Sequence, residues 1–425
     1  MPSLLVDGIN LAEVVIGSLV LLIVAIIVRT IYALCLSPYH KIPGPLLCKI
    51  SRYWLVYWDF TLQRNEKVYE WHQQYGPVVL VAPGELSFAT PSATREIYGA
   101  TGRYPKSDYF SRFATYGERP TFTVKDYEEH RQKRKLTFAL FQPTVMYGAA
   151  YVNPIRARAK AFLEKINKDI KDNSSVDFFA SFTLYVFDNM SRFAYGPRHA
   201  CHSIDNECGE RSMLLGLREC EIWNNRLFDF PTLYWLFQQL ISCITNNKNF
   251  LTAEHKLTDW NTEKLTVSRN DPSISSDDSL LRYLNDVKTK DGTALTPNYI
   301  ASEMLDNLNG AQTTTTAALT YVMWNIARNP AWQDRVREEL RQLPLQEDEL
   351  PSWADVNASP VLDACIKESY RINPISSGRA ERVTPREKVF EHIFVPSGVS
   401  ECLPFVTPDF FSAIVARDIN RTVSS

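Results

Sequence analysis

The sequence predicts a mainly α-helical protein with small β-sheets, held to a membrane by one N-terminal transmembrane helix. Three observations predict this. Val14 to Val28 is apolar apart from Gly17 and Ser18, and Ile31 to Leu36 extends the run past Arg29 and Thr30. The total is about 20 residues, near the length a bilayer needs. Helical spacing of apolar residues dominates the body of the chain. Strand-like runs are few, and they fall near the start of the body and after residue 377.

The whole chain bounds the rest. Its 425 residues are 45% hydrophobic and 12% aromatic, enough for a large core in one big domain or two. A formal net charge of -2 gives no footprint for a nucleic-acid partner. The eight cysteines are scattered with no CxxC, which fits a reduced, cytosolic body. Only Asp7 and Glu13 are charged before the apolar run, whereas Arg29, Lys41, Lys49 and Arg52 follow it. The positive-inside rule then places residues 1–10 in the lumen, 11–36 in the bilayer and the body in the cytosol. A cleavable signal peptide is the alternative, and it lacks a basic leading region here. Residues 37–45 include Lys41-Ile-Pro-Gly-Pro45 and read as a short rigid hinge.

Along the body, Phe60 to Tyr75 reads as a helix stopped by Gly76-Pro77. Val78–Val81 and Leu86–Ala89 read as a hairpin around Pro83-Gly84. Helices are expected over Ser92–Tyr98, Asp126–Leu140, Tyr151–Lys168, Ser181–Tyr195, Glu210–Asn225 and Pro231–Thr245. Asn246 to Asp278 is polar and reads as loop with surface helix. Pro297 to Ala327 is the longest helix, started by Thr296-Pro297, ended by Asn329-Pro330, and apolar enough to cross the core. Trp332 to Leu340 follows as an amphipathic helix. A short helix then starts at Ser359-Pro360 and stops before Pro374.

Four groups of residues could carry chemistry. On the short helix, Val361, Cys365, Glu368 and Ile372 share one stripe, so Glu368 is expected on a buried apolar face with Arg371 in reach. An exposed pair is the alternative. The long helix carries Asn309-Gly-Ala-Gln-Thr-Thr-Thr-Thr316 at its centre. Gly310 would let a ligand approach the backbone and a threonine could bond it. Otherwise the hydroxyls bond back to the preceding turn. His130 and Arg134 lie at i,i+4 and could grip a carboxylate or phosphate. The alternatives there are a solvated basic face, or docking of an acidic partner by Arg131, Lys133 and Lys135. His199, Cys201, His202 and Cys208 are too cramped for regular tetrahedral zinc, and no metal site is assigned. No Gly-x-Ser-x-Gly, Walker loop or dinucleotide glycine fingerprint occurs.

In this order, the anchor, the Pro-Gly-Pro hinge, the basic helix, the Gly/Thr-centred helix and Glu368-Ser-Tyr-Arg371 resemble the membrane-bound cytochromes P-450, heme-thiolate monooxygenases, of fungal type. The resemblance runs from about Lys41 to Gly398, so the domain is set at 46–398 with a departing tail at 399–425. It implies a P-450-like fold, incomplete at the C-terminus, and heme b as cofactor. Glu368 and Arg371 match the Glu-x-x-Arg ion pair behind the heme. His130 and Arg134 match the pair that binds its propionates, and Arg382 stands where a further arginine reaches a propionate, with Arg379 nearby. Gly310 and Thr313 match the oxygen-pocket glycine and threonine, while the usual acid before that threonine is Gln312. The resemblance also implies a NADPH-dependent reductase, a hydrophobic substrate of secondary metabolism, membrane lipid and the endoplasmic reticulum. The aromatic side chains of Tyr109–Pro120 and Met213–Leu236 suit an apolar ligand. The family's Phe-x-x-Gly-x-Arg-x-Cys-x-Gly ligand loop is missing, and Cys402 lies in Glu-Cys-Leu-Pro-Phe405. A thiolate is needed to push electrons into the iron. The chain as written is therefore expected to be inactive, a truncated product or a misassembled gene. The alternative is a non-catalytic, membrane-anchored protein that binds a ligand or partner.

Overall fold

The computed structural model describes residues 11–402 apart from residues 100, 173–174, 206–208, 228, 247, 274–276, 376–378 and 391. The expected lumenal residues 1–10, Cys208, Phe228 and tail residues 403–425 lie outside the described residues. The chain divides into two compact units, Met1–Tyr104 with Arg379–Pro404, and Pro105–Gly378 with Phe405–Ser425.

The first unit begins with α1 (Leu11–Ile31). Val14–Leu36 is a 23-residue segment of mean hydropathy 2.8, exposed over most of its length with Ala33 buried near its end, and long and apolar enough to cross a membrane. The end of α1 is tied to α2 (Leu46–Ile50) by Arg29 Nε, which donates to the Ile50 carbonyl at 3.0 Å. Helices α3 (Tyr53–Phe60) and α4 (Arg64–Tyr75) follow. The helix expected from Phe60 starts only at Arg64, because Leu62 takes a left-handed φ of 60° and breaks it.

Strands β1 (Val78–Ala82) and β2 (Glu85–Phe88) form the expected antiparallel hairpin. Gly84 turns it at φ 76°, a conformation that costs glycine little. The hinge is laid on β1: the Leu80 N–H donates to the Pro43 carbonyl at 2.8 Å, and Ile42 is buried. A Cβ on Gly44 would sit 2.5 Å from the Leu80 carbonyl oxygen, so the close approach requires glycine. Helix α5 (Pro91–Tyr98) is capped by Thr90 Oγ1, which accepts from the Ala93 N–H.

The unit closes with β3 (Arg382–Val383), β4 (Lys388–Phe390), β5 (Ile393–Val395) and β6 (Ser400–Cys402). The larger sheet runs β1-β2-β6-β3, with β6 parallel to β2 and antiparallel to β3, and β4-β5 is a separate hairpin. The expected tail boundary after residue 398 therefore falls inside the sheet. Alternate residues of β1 feed two apolar clusters, Val78 and Leu80 with Leu86, Phe88 and Phe390, and Val79 and Val81 with Leu55, Val68 and Trp71.

In the second unit come α6 (Tyr127–Thr137), α7 (Pro143–Met146), α8 (Ala149–Asp172), α9 (Phe178–Tyr195), α10 (Gly209–Arg226) and α11 (Pro231–Thr245). Residues 246–278, expected as loop and surface helix, instead supply α12 (Lys248–Arg269). Its Leu257, Trp260, Asn261, Leu265 and Ser268 are buried. Two polar members hide that stripe in the sequence. Asn261 is tolerated there because its Nδ2 donates to the Ala301 carbonyl (3.1 Å) and the Tyr116 hydroxyl (2.8 Å).

After α13 (Leu280–Asp286) comes α14 (Pro297–Ala327), with the expected bounds. Thr296 Oγ1 caps it by accepting from the Tyr299 N–H at 3.1 Å. Its first half is buried against the largest apolar cluster, with Phe187, Tyr195, Leu214, Leu281, Met304 and Leu308. Helices α15 (Pro330–Arg341), α16 (Trp353–Asn357) and α17 (Pro360–Ile372) complete the unit. Glu339 on α15 accepts from the Val361 and Leu362 N–H groups, each at 2.9 Å, and so satisfies the N-terminus of α17.

Candidate functional site

A cavity of about 1230 Å³ opens in the second unit. That exceeds the roughly 300–1,000 Å³ of a pocket for one drug-sized ligand. One wall is a single face of α14, where Asp306, Gly310 and Thr313 fall at i, i+4 and i+7. His130 and Arg134 of α6 line the same cavity. Phe138, Phe141, Phe193 and Leu257 make it apolar elsewhere. The structure thus brings together His130, Arg134, Gly310 and Thr313.

The threonine-rich centre of α14 divides between its two readings. A Cβ on Gly310 would meet nothing within 4 Å, so the helix backbone there faces open space. Thr313 lines the cavity. Thr314 Oγ1 bonds back to the Gly310 carbonyl at 2.6 Å, and Thr320 Oγ1 to the Thr316 carbonyl at 2.8 Å, as a helical threonine without a ligand does. Gln312 is buried and does not line the cavity.

The pair on α17 requires a correction. Arg371 Nε and Nη2 donate to Glu368 Oε2 and Oε1 at 2.7 and 2.6 Å, a bidentate contact. Yet the Glu368 side chain is 51% exposed, and the expected buried stripe is half-buried at Val361 and Cys365 and exposed at Ile372. The helix docks through Ser369 instead, whose Oγ accepts from Asn325 Nδ2 of α14 at 2.8 Å. The Arg371 hydrogen bonds hold the Glu368 carboxyl below its usual value.

Arg382 belongs to the first unit, on β3. Its Nη1 donates to the Ala380 and Glu381 carbonyls at 3.1 and 3.0 Å, and its guanidinium lies 5.1 Å from the Tyr98 ring centre. Burial lowers its pKa, against the favourable field of Tyr98. Arg379 pairs with Asp59. The His and Cys cluster is dispersed among separate partners. His199 Nε2 meets Asp271 Oδ2 at 3.0 Å, the Cys201 N–H donates to Ser191 Oγ at 2.8 Å, and His202 contacts Arg158. Among the described residues no group of His, Cys, Asp and Glu is arranged to hold a metal ion.

Lys106, Glu303 and Asp306 are among the cavity residues that have no counterpart in the sequence-based expectations. Burial, and then the Glu303 charge, push the Asp306 carboxyl up to about 7, against Lys106 and a hydrogen bond from the Phe122 N–H. The sequence does carry a signal for them, since Glu303-x-x-Asp306 places two acids in the otherwise apolar half of α14, in helical register with Gly310.

Heme fits part of this site. A tetrapyrrole with two carboxylates suits a large apolar cavity with His130 and Arg134 at one wall and no side chain at Gly310. No described cysteine lines the cavity, so no described residue supplies an axial thiolate.

Comparison with known proteins agrees with the architecture. The family model described as Cytochrome P-450 matches residues 43–404. The cytochrome P-450 monooxygenase FGM1 of Gibberella zeae is 36% identical over 374 residues, covering 88% of this chain and 74% of that protein. Tryprostatin B 6-hydroxylase of Neosartorya fischeri is 24% identical over 385 residues, 88% of this chain and 66% of that protein. Among solved structures, retinoic acid bound cyanobacterial CYP120A1 superimposes with a TM-score of 0.61 at 16% identity, over 79% of this chain and 71% of that one. With a family model spanning both compact units and a fungal monooxygenase at this identity, the chain belongs to the cytochrome P-450 family, whose cofactor is heme.

Proposed function

We propose that the cavity of the second unit is built to hold heme b and a hydrophobic small molecule, as in a membrane-anchored monooxygenase of fungal secondary metabolism. The observation that carries this reading is the meeting of His130, Arg134, Gly310 and Thr313 around one cavity. His130 and Arg134 would bind the two propionates through charge-assisted hydrogen bonds. Gly310 leaves room at the helix surface, and the Thr313 hydroxyl can donate a hydrogen bond into that space. Glu368 with Arg371 would serve as a positioning pair of the fold. Bound heme supplies the oxygen chemistry: O2, two electrons and two protons give one oxygen atom in the substrate and one water. In this reading the electrons come from NADPH through a reductase, the body lies on the cytosolic side of the endoplasmic reticulum, and α1 is its single span.

No Phe-x-x-Gly-x-Arg-x-Cys-x-Gly loop occurs in the 425 residues. On this reading these residues alone form no thiolate-ligated heme and are inactive. Expression of the chain, reduction and addition of carbon monoxide tests this. A Soret band typical of thiolate ligation overturns the inactivity. A cooperative melt without any heme favours the second reading, a membrane-anchored binding protein without catalysis, which the lack of a cavity-lining cysteine among the described residues also supports.

A further inference from the structure

Residues 106–125 run as a strap along the cavity, and two acids on one face of α14 hold it. The Thr121 N–H and hydroxyl donate to Glu303 Oε2 at 2.9 and 3.2 Å. The next N–H, that of Phe122, donates to the Asp306 carboxyl. Lys106 Nζ donates to the Phe122 and Thr121 carbonyls at 2.6 and 3.3 Å. The Thr115 and Ser302 hydroxyls add a hydrogen bond of 2.9 Å. Phe122 in turn packs edge-on against Phe110 and Phe113, with ring centres at 5.3 and 5.7 Å. Two successive peptide groups thus hang on two carboxyls three residues apart, with one lysine beside them. Ionising both carboxyls in so confined a place is opposed by their mutual repulsion.

We propose that Glu303, Asp306 and Lys106 are positioning residues that set Phe113 and Phe122, backed by the buried Phe110, as a wall of the cavity, and that opening this wall releases a proton which closure holds at Asp306. Neither step requires bound heme. The charged groups facing Asp306 are Glu303 on its own helix and Lys106 on the strap. Tyr299, a turn before Glu303, is pushed up by burial and by Glu303 and stays a neutral phenol. Opening the strap removes the burial that raises Asp306 most, so its pKa falls from about 7 in the closed form, while Glu303 stays beside it on the same helix. The closed form therefore binds the proton more tightly. Closure is fully favoured below the open-state value, weakens by up to about tenfold per pH unit as pH rises, and levels off above the closed-state value.

Hydrogen exchange of the full chain in lipid nanodiscs, followed over residues 115–125 from about pH 5 to about pH 8 and corrected for intrinsic rates, tests this. Protection should fall with pH and then bend to a plateau near neutrality. Asp306→Asn should remove the bend. Glu303→Gln should move it to lower pH and Lys106→Met to higher pH, and these two suffice if Asp306→Asn does not fold. A purely structural role changes the level of protection and leaves the bend in place. Protection independent of pH in the native chain overturns the proposal, as does a bend surviving in Asp306→Asn, or a shift of the same sign in the other two variants.

Discussion

Glu303 with Asp306 on α14, and Glu368 with Arg371 on α17, have the same spacing of three residues on a helix and opposite surroundings. The first pair is like-charged, lines the cavity and bonds the peptide groups of another segment. The second is oppositely charged, bonded within itself and faces solvent. Spacing says which side chains can meet. Burial decides what the meeting is worth, because charge–charge and hydrogen-bond energies grow as water is removed. Glu85 on β2 extends the contrast. Its carboxylate is buried against Arg64 Nη2 at 2.5 Å. Burial alone would raise its pKa, yet Arg64, Arg379 and Arg52 together hold it below the usual value.

The largest effect is expected at Glu85. Arg64→Ala leaves a buried carboxylate with Arg52 at 3.9 Å and the field of Arg379, and the loss should be about 3 kcal/mol, as when one partner of a buried pair is removed. Chemical denaturation of the full chain in detergent measures it. A loss as small as that of an exposed pair would break the comparison. Glu303→Ala comes next. It strands the half-buried Thr121 N–H and hydroxyl, for about 1 kcal/mol by the same measurement. Gly310→Ala separates site from scaffold. With open space around the added methyl, it should stabilise α14 by about 1 kcal/mol. A bulkier Gly310→Leu should keep the melt and lower heme uptake in a titration of the apoprotein.

Much of this contrast is legible in the amino-acid sequence. Thr296-Pro297 and Asn329-Pro330 delimit α14 because a cap and two prolines leave the backbone little choice. Pro83-Gly84 marks the hairpin for a similar reason. His130, Arg134, Gly310 and Thr313 stand out because side chains at i,i+4 must share a face, and family resemblance supplies the chemistry. Burial is not legible, since it depends on what a distant segment brings. On α17 the polar Ser369 is the buried residue, held by Asn325, while apolar Ile372 is exposed. On α12 the buried stripe contains Asn261, whose partners Tyr116 and Ala301 lie far away in sequence. Asp306 draws its upward shift first from burial and then from Glu303, and the burial comes with a distant segment that also brings Lys106 and Phe122, which oppose it and which no helical period connects to it.

The smallest effect, and the sharpest test of exposure, is at Glu368. Arg371 lowers its pKa, chiefly through hydrogen bonds. A carboxyl depressed on folding contributes stability above its unfolded value of about 4.5, and that contribution is lost as pH falls through the folded value. Because the pair is solvated, Glu368→Gln should cost less than about 1 kcal/mol at neutral pH, and half-molar salt should shrink even that. At acid pH the variant and the native chain should converge. A loss several times larger and insensitive to salt means that Glu368 is covered in solution, which would restore the buried pair that the family motif implies.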